Sequence, residues 1–260
     1  MPNDVASALL RIVDRLSAEL AELSFGPPVA HVYDPSDYAR GAAGAYVRRF
    51  ARAGVPALLV GMNPGPYGMV QTGVPFGEVA AVRDWLGITS GVGRPASEHP
   101  ARPVDGFECT RSEVSGRRVW GWAQERFGEP ERFFERFFVW NYCPLAFLEE
   151  SGRNRTPDKL PVAERDALFA ACDRALAGFV EVLDPAIVVG VGRFALDRVR
   201  AALPEGHGRR VGTVLHPSPA SPIANRGWAP QAEKQLAALG IDVEGALAAR
   251  RARRRDESNI

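Results

Sequence analysis

The sequence has few cysteines, no long apolar run and no recognisable leader. Its three cysteines, Cys109, Cys143 and Cys172, are an odd number at wide spacing, which indicates neither a disulfide framework nor a thiolate metal cluster. No apolar run approaches the roughly 20 residues that span a bilayer, and the first residues lack the basic start and apolar stretch of a signal peptide. We therefore expect a reduced, cytoplasmic protein without a membrane contact.

Lysine is also scarce, since Lys159 and Lys234 are the only two among 32 basic residues. The remaining cations are arginines, and 31 acidic residues leave a net charge of +1. The charge is uneven, because residues 198–230 contain five arginines against Glu205 alone and residues 250–255 are nearly all arginine. An arginine excess can reflect genome composition, so it is weak support for a polyanionic partner.

The chain of 260 residues, with 46% hydrophobic and 24% charged residues, has the size and composition of a folded protein with one large domain or two small ones. Four apolar runs without polar alternation, bounded by Gly, Pro or Asn, predict strands that are covered on both faces. They are residues 57–60, 137–140, 186–189 and 211–215. Helical spacing is found in residues 4–24, 38–52, 78–86, 117–127, 162–183, 193–202 and 229–239.

Strands that alternate with helices are typical of a parallel sheet between two layers of helices. We therefore predict one α/β domain over residues 1–240, a three-layer α/β/α sandwich around a central, mainly parallel, four-stranded sheet. Residues 241–260 are predicted to form an arginine-rich helix or tail.

Ligands of such sheets bind outside the carboxyl ends of the strands. Asn63, Asn141 and His216 follow three of the predicted strands, so the topology brings them together. Each also has a plainer interpretation, because Asn63 lies in a turn-forming Asn-Pro-Gly sequence, Asn141 suits a strand-end cap, and a single histidine is often structural. Phe76 taken alone would be a core residue.

These residue types favour the hydrolytic departure of a heterocycle. An asparagine can hold a water, a second amide can bind the polar edge of a base, and a histidine can donate to an oxygen that gains negative charge. The sequence contains neither a Gly-Lys-Ser/Thr phosphate loop nor a His-Glu-x-x-His motif, and residues 190–192 lack the third glycine of a dinucleotide fingerprint. We therefore expect no cofactor and no metal.

A set of ordered sequence blocks resembles the single-strand-selective monofunctional uracil-DNA glycosylases. The block G-M-N-P-G-P-Y-G-M-V-Q-T-G-V-P-F-G-E-V (61–79) is similar to the first motif of that family, and H-P-S-P-A-S-P-I-A-N-R-G-W (216–228) to its second. Between them lie E-H-P-x-R-P (98–103), S-E-V-S-G (112–116), N-Y-C-P-L (141–145) and S-G-R-N-R-T-P (151–157). The resemblance extends from about Tyr33 to Leu239 and implies a fold like that of uracil-DNA glycosylases.

The resemblance implies a role for each residue at the strand ends. Asn63 would position the attacking water at the deoxyribose C1′, and His216 would stabilise negative charge on O2 of the departing uracil. Asn141 would bind the polar edge of the base, while Phe76 would stack on it. Gly65 would leave the C5 side uncrowded, so that 5-hydroxymethyluracil is accepted, and Met62 would border the same region.

The resemblance further implies a wedge that fills the gap left by an extruded base, here residues 217–225. Its predicted DNA contacts are Pro217, Ser218, Pro219, Ala220, Ser221 and Asn225, with Arg226, Ser151 and Arg153 as phosphate contacts. Ala220 stands where a longer basic residue would strengthen the wedge, which places activity on intact duplex in question.

The expected activity is hydrolysis of the N-glycosidic bond of uracil and C5-modified uracils, leaving an abasic site for base-excision repair. Strand cleavage is not expected, because neither lysine lies in a motif that could supply a Schiff-base amine. The expected partner is uracil-containing DNA, single-stranded and also double-stranded, bound by a monomer. The alternatives are a glycosylase for xanthine or hypoxanthine, a damage-binding protein without turnover, and a nucleoside hydrolase.

Overall fold

The structure is a computed structural model that describes residues 2–241 and 243. Its strands are β1 Val29–Tyr33, β2 Ala57–Gly61, β3 Phe137–Asn141, β4 Ala146–Glu149, β5 Asn154–Arg155, β6 Ile187–Val191 and β7 Arg210–Val214. Its helices are α1 Pro2–Ala21, α2 Pro35–Tyr38, α3 Arg40–Phe50, α4 Met69–Thr72, α5 Val114–Phe127, α6 Pro130–Phe134, α7 Val162–Leu183, α8 Arg193–Ala202, α9 Pro222–Asn225 and α10 Trp228–Ala238.

A four-stranded parallel sheet in the order β3-β2-β6-β7 forms the centre of the fold. Every residue of β2, β3 and β6 is buried, whereas the edge strand β7 is only partly covered. Uninterrupted apolar runs mark such doubly covered strands, and each of the four predicted runs is a strand within one residue at its start and two at its end. The predicted α/β fold with its parallel sheet is therefore confirmed.

Helices cover both faces of this sheet. Phe137 packs against Trp122 of α5, and Trp140 stacks on Phe179 of α7 with ring centroids 4.5 Å apart. Because residues three apart on a strand point to opposite faces, α5 and α7 lie on opposite sides of β3. α10 packs beside α5, and α1 packs on α7, which completes the three layers.

A second sheet was not predicted. β1, β4 and β5 form a three-stranded sheet in the order β1-β4-β5, with antiparallel pairing throughout. The strand β5 is only two residues long, and β4 begins five residues after β3 ends, so neither produces a periodic pattern of its own. This small sheet places the residues after β5 beside the end of the central sheet.

The predicted helices are found with boundaries that differ by up to three residues, since the helix predicted over 38–52 is α3 Arg40–Phe50 and the one predicted over 117–127 begins at Val114, and the helix predicted over 78–86 differs in kind. α7 and α8 have the predicted bounds, but α1 ends at Ala21 rather than at residue 24. The helix predicted over 78–86 is mainly one π-helical turn, Ala81–Trp85, in which the N–H of Leu86 bonds to the carbonyl of Ala81. The indole of Trp85 donates to the Gly128 carbonyl at 2.6 Å, a tertiary contact that spacing alone does not encode.

No helix in the described part of the chain is both long and apolar enough to cross a membrane. Within residues 2–241 and 243, no group of His, Cys, Asp and Glu side chains is arranged to hold a metal ion. The predicted tail of residues 241–260 lies outside the described residues except for positions 241 and 243. The division at residue 240 stays a prediction.

Candidate active site

The ends of β2 and β3 form the floor of the site. Gly61 and Asn141, the last residues of these strands, are paired in the parallel register. A Cβ atom at position 61 would lie 2.7 Å from the Phe76 ring and would overlap the side-chain oxygen of Asn141. Gly61 therefore allows the Asn141 amide and the Phe76 ring to meet over the same strand end.

Asn141 is a buried amide that has no strong hydrogen-bond partner within the described part of the chain. The Asn141 residue is 4% exposed, and its Nδ2 donates to the sulfur of Met69 at 3.2 Å. A thioether is a weak acceptor, whereas buried amides normally bond to a carbonyl, a hydroxyl or water. The Asn141 amide is thus available for a ligand that presents its own donor and acceptor.

Asn63 lies two residues beyond β2 and is held from one side. Its Nδ2 donates to the carbonyl of Leu145 at 3.2 Å. That bond fixes the amide orientation and leaves Oδ1 as the atom that can accept a hydrogen bond. An amide oxygen held in this way can orient a water but cannot remove its proton.

Phe76 lies in a strained turn. Its φ of 52° is in the left-handed region, which costs a residue other than glycine about 1–3 kcal/mol. The turn is held by Thr72, whose hydroxyl donates to the Gly77 carbonyl at 2.9 Å. The Phe76 ring is 7% exposed and belongs to the hydrophobic core, and it also borders the site, 6.4 Å from the ring of His216.

His216 follows β7 at the edge of the sheet and packs on the loop after β6. Gly192 has a φ of 92°, and a Cβ there would lie 3.0 Å from the His216 Cβ. Burial lowers the pKa of His216 below its usual value of 6.5, because the cation is the form that a poorly solvated site disfavours. At pH 7 the imidazole is therefore neutral and can donate one hydrogen bond.

An NMR titration measures this property directly. We expect the ring resonances of His216 to titrate with a midpoint below 6.5 in the free protein, since burial acts against the imidazolium. A His216→Gln variant assigns the resonances. A midpoint at or above 6.5 would contradict a neutral imidazole at pH 7.

One cavity of about 490 Å³ lies above these residues, within the range of small-molecule sites. It is lined by all six predicted catalytic and substrate-binding residues and by two residues of the predicted wedge. They are Met62, Asn63, Gly65, Phe76, Asn141, His216, Ser218 and Pro219. The structure thus places side chains from three strand ends around one space.

The predicted wedge, residues 217–225, directly follows His216 and is fixed by hydrogen bonds from α5. Arg118 of α5 donates to the carbonyls of Pro217 and Ser218 at 3.0 and 3.2 Å and to the Asn225 side-chain oxygen at 2.8 Å. Asn225 in turn donates to the Pro219 carbonyl at 2.9 Å. Four bonds over nine residues make the segment a fixed protrusion.

The outer part of the wedge is exposed. Pro219 and Ala220 are open to solvent, and Ser221 caps α9 by accepting from the Ala224 N–H at 3.3 Å. Ile223 on α9 is 50% exposed, which is unusual for a large apolar side chain in this structure. Sequence reading did not single out Ile223, although its position in the second motif could have suggested it.

The other predicted DNA contacts lie outside the cavity. Arg226, Ser151 and Arg153 are exposed, as phosphate contacts must be, but none of them lines the cavity. Their neighbours Asn154 and Thr156 do line it. The sequence therefore predicted that the loop containing Ser151 and Arg153 lies beside the site, but it did not predict which residues of that loop line the cavity.

The S-E-V-S-G block was noted in the sequence only as a resemblance, and the structure places it in the cavity wall. Ser112, Glu113 and Ser115 all line the cavity. A Cβ at Gly65 would overlap the Glu113 carboxylate, so the space predicted beside Gly65 is occupied. The glycines at 65 and 68 allow this close approach, a relation that a single sequence does not display.

A neutral imidazole, two amides and an aromatic ring lie around one cavity, next to an exposed protrusion, and these groups suit hydrolysis of the bond between a base and its sugar. A model of the Uracil DNA glycosylase superfamily matches residues 49–237. The fold is shared with a solved structure, wild-type SMUG2 of Pedobacter heparinus, at a TM-score of 0.60 and 17% identity, covering 88% of this chain and 97% of that one.

Nearer relatives define the family more narrowly. A single-strand selective monofunctional uracil-DNA glycosylase of Rattus norvegicus is 51% identical over 243 residues, which cover 92% of this chain and 86% of that protein. The corresponding protein of Bos taurus is 48% identical over 244 residues, covering 92% and 89%. The chain belongs to the family of single-strand selective monofunctional uracil-DNA glycosylases, and the predicted enzyme class without lyase activity is confirmed.

Proposed function

We propose that this protein excises uracil and C5-modified uracils such as 5-hydroxymethyluracil from DNA and leaves an abasic site for repair. The observation that carries the proposal is the buried Asn141 amide, whose hydrogen-bond partner among the described residues is the Met69 sulfur. Uracil presents a donor at N3 and an acceptor at O4, which match Oδ1 and Nδ2 of an amide. In cytosine both groups are reversed, so binding it would require the amide to turn away from Met69.

The catalytic step assigned to Asn63 and His216 is hydrolysis at C1′. Asn63 Oδ1 accepts from a water and directs its oxygen at C1′, while the neutral His216 donates to O2 of the base. The C1′–N1 bond breaks with its electron pair on N1 and the C1′–O bond forms. The proton that the water loses passes to solvent, from which the departing uracil anion is protonated. A donor aimed at an oxygen that gains charge lowers the barrier because it is already oriented.

The base must leave the stack to reach this cavity, at a cost of a few kcal/mol that is least for single strands. The segment 217–225 would fill the vacated space, and Arg226, Ser151 and Arg153 would hold phosphates. The short side chain of Ala220 favours single-stranded over duplex DNA. We further propose that the protein acts as a monomer in the cytoplasm.

The test uses end-labelled oligonucleotides, single-stranded and duplex, with uracil, 5-hydroxymethyluracil, xanthine or hypoxanthine at one position. We expect strand breakage at uracil and 5-hydroxymethyluracil only after treatment with alkali. Breakage confined to xanthine or hypoxanthine would replace the substrate assignment. Binding without breakage on all four bases would leave a damage-binding protein, and release of bases from free nucleosides alone would leave a nucleoside hydrolase.

A longer, charged side chain at position 220 of the wedge should increase excision from duplex DNA. Ala220→Arg should raise excision from duplex DNA roughly fivefold, since an exposed ion pair with a phosphate contributes up to about 1 kcal/mol, and should affect single strands less. The measurement compares single-turnover rates on the two forms of one oligonucleotide. Ala220→Gln adds length without charge and is the matched control; an equal gain in both variants would show that charge is not the cause.

A further inference from the structure

Two arginines share one aromatic ring at the wall of the cavity. The Cζ atom of Arg111 lies 4.0 Å from the centroid of the Tyr67 ring, and that of Arg102 lies 5.6 Å from it. Tyr67 lines the cavity, and so does Ser112, the residue that follows Arg111. The guanidinium groups of Arg102 and Arg111, here called the arginine pair, therefore lie beside the cavity wall that Tyr67 forms.

The charge of the arginine pair is not balanced by a carboxylate. Within the described residues neither Arg102 nor Arg111 forms an ion pair, although arginines elsewhere in the structure do. Arg111 is exposed and Arg102 is half-buried. Because two like charges at one ring repel each other, the arrangement becomes more stable when an anion binds to both.

Two polar atoms of this cluster are sealed from solvent and have no hydrogen-bond partner among the described residues. They are the hydroxyl oxygen of Tyr67 and Nε of Arg102. Arg102 is held in place by a different atom, since its Nη1 donates to the Ala101 carbonyl at 2.7 Å. Buried polar atoms are almost always bonded. Since a hydroxyl and an N–H can both donate, these exceptions point to a ligand that accepts hydrogen bonds.

The loop that the sequence predicts to contact phosphates lies next to Arg102. Gly152 has a φ of 74°, and a Cβ atom there would lie 3.5 Å from Cζ of Arg102. Gly152 stands between Ser151 and Arg153, which are both exposed. The arginine pair therefore connects this loop to the wall of the cavity at Tyr67.

We propose that Arg111 and Arg102 bind phosphates of the DNA strand next to the nucleotide whose base enters the cavity. The inference rests on the proposed function, since it requires a strand bound at the cavity. A guanidinium stacked on a ring presents its N–H groups at the edge of its plane, where they match two oxygens of a phosphate. Because the Tyr67 ring orients both groups before DNA binds, less side-chain freedom is lost on binding.

The first measurement is the salt dependence of binding, by fluorescence anisotropy, to a single strand that contains 2′-fluoro-2′-deoxyuridine. The fluorine withdraws electrons from C1′ and slows hydrolysis. Arg111→Gln should weaken binding roughly fivefold at low salt. It should also reduce the slope of log affinity against log salt by about 0.7, the value for one phosphate of a single strand.

Arg102→Gln should change the affinity and the slope in the same direction as Arg111→Gln. Arg15→Gln, the same substitution at an exposed arginine of α1, is the matched control and should leave both unchanged.

The second measurement locates the contact. One linkage at a time is replaced by a neutral methylphosphonate, on either side of the fluorinated nucleotide. Wild type should lose roughly fivefold in affinity at the linkage that the arginine pair contacts. In Arg111→Gln the same replacement should change the affinity by less than about twofold, since the charge that it pairs with is already absent. The other linkages should cost the variant as much as they cost wild type.

A salt slope in Arg111→Gln equal to that of wild type would overturn the inference. So would a set of methylphosphonate costs that is the same in both proteins at every linkage, which would assign Arg111 to a base contact or to the fold. If circular dichroism shows that Arg102→Gln is unfolded, Arg111→Gln decides, because Arg111 is exposed.

Release of uracil from an ordinary strand by wild type is measured in parallel. Failure to release it would overturn the proposed function. Release together with an unchanged salt slope in Arg111→Gln would overturn the role of the arginine pair alone.

Discussion

Asn63→Ala should lower the rate of uracil excision by roughly a hundredfold to a thousandfold, because small misplacements of a reacting group cost rates of that order. The amide is fixed by the Leu145 carbonyl at 3.2 Å, and removing it leaves the water without a directing acceptor. Binding of uracil-containing DNA should persist, since the wedge and Asn141 are untouched. Single-turnover excision and fluorescence anisotropy on one oligonucleotide measure the two properties.

Gln124→Ala removes an exposed amide of α5 and is the control for loss of an amide as such. If Asn63→Ala retained more than a third of the wild-type rate, the water would be positioned by another group. If DNA binding fell together with the rate, Asn63 would hold the substrate rather than the water.

The four strands of the central sheet could be predicted because a strand covered on both faces requires an uninterrupted apolar run. Once these strands were placed, topology alone predicted that Asn63, Asn141 and His216 meet, although 153 residues separate the first from the last. The π-helical turn and the strands β4 and β5 could not be predicted in this way. The strands β4 and β5 are only four and two residues long, too short to show a period, and the π-helical turn differs from an α-helix only by the longer reach of its Leu86–Ala81 hydrogen bond.

Glu113 was missed for a related reason. At the start of a helix, a glutamate is ordinarily explained by the helix dipole, and only the structure shows its carboxyl group directed into the cavity. That direction depends on two glycines far away in sequence, since a Cβ at Gly65 or Gly68 would overlap the Glu113 carboxylate. The sequence showed that Gly65 leaves room but not which side chain occupies it.

The same carboxyl group should make the protein less stable at alkaline pH than at acid pH. Its pKa is raised from 4.5 to about 7 on folding, so between these values the unfolded chain releases a proton that the folded chain keeps. Stability then falls as pH rises, and above pH 7 the folded protein carries the full cost of a buried carboxylate. A shift of this size corresponds to about 3 kcal/mol as an upper value.

Glu113→Gln removes this cost, because the amide has the same shape and does not ionise. We expect the variant to match wild type near pH 4.5 and to unfold at a temperature roughly 5–10 °C higher at pH 8, as follows from about 3 kcal/mol in a domain of this size. Calorimetry at the two pH values gives the result, with Glu108→Gln as an exposed control. A gain that is equal at both pH values would come from packing rather than from ionisation. A carboxylate that costs this much stability is expected where it serves the reaction, since stability and function commonly oppose each other at active sites.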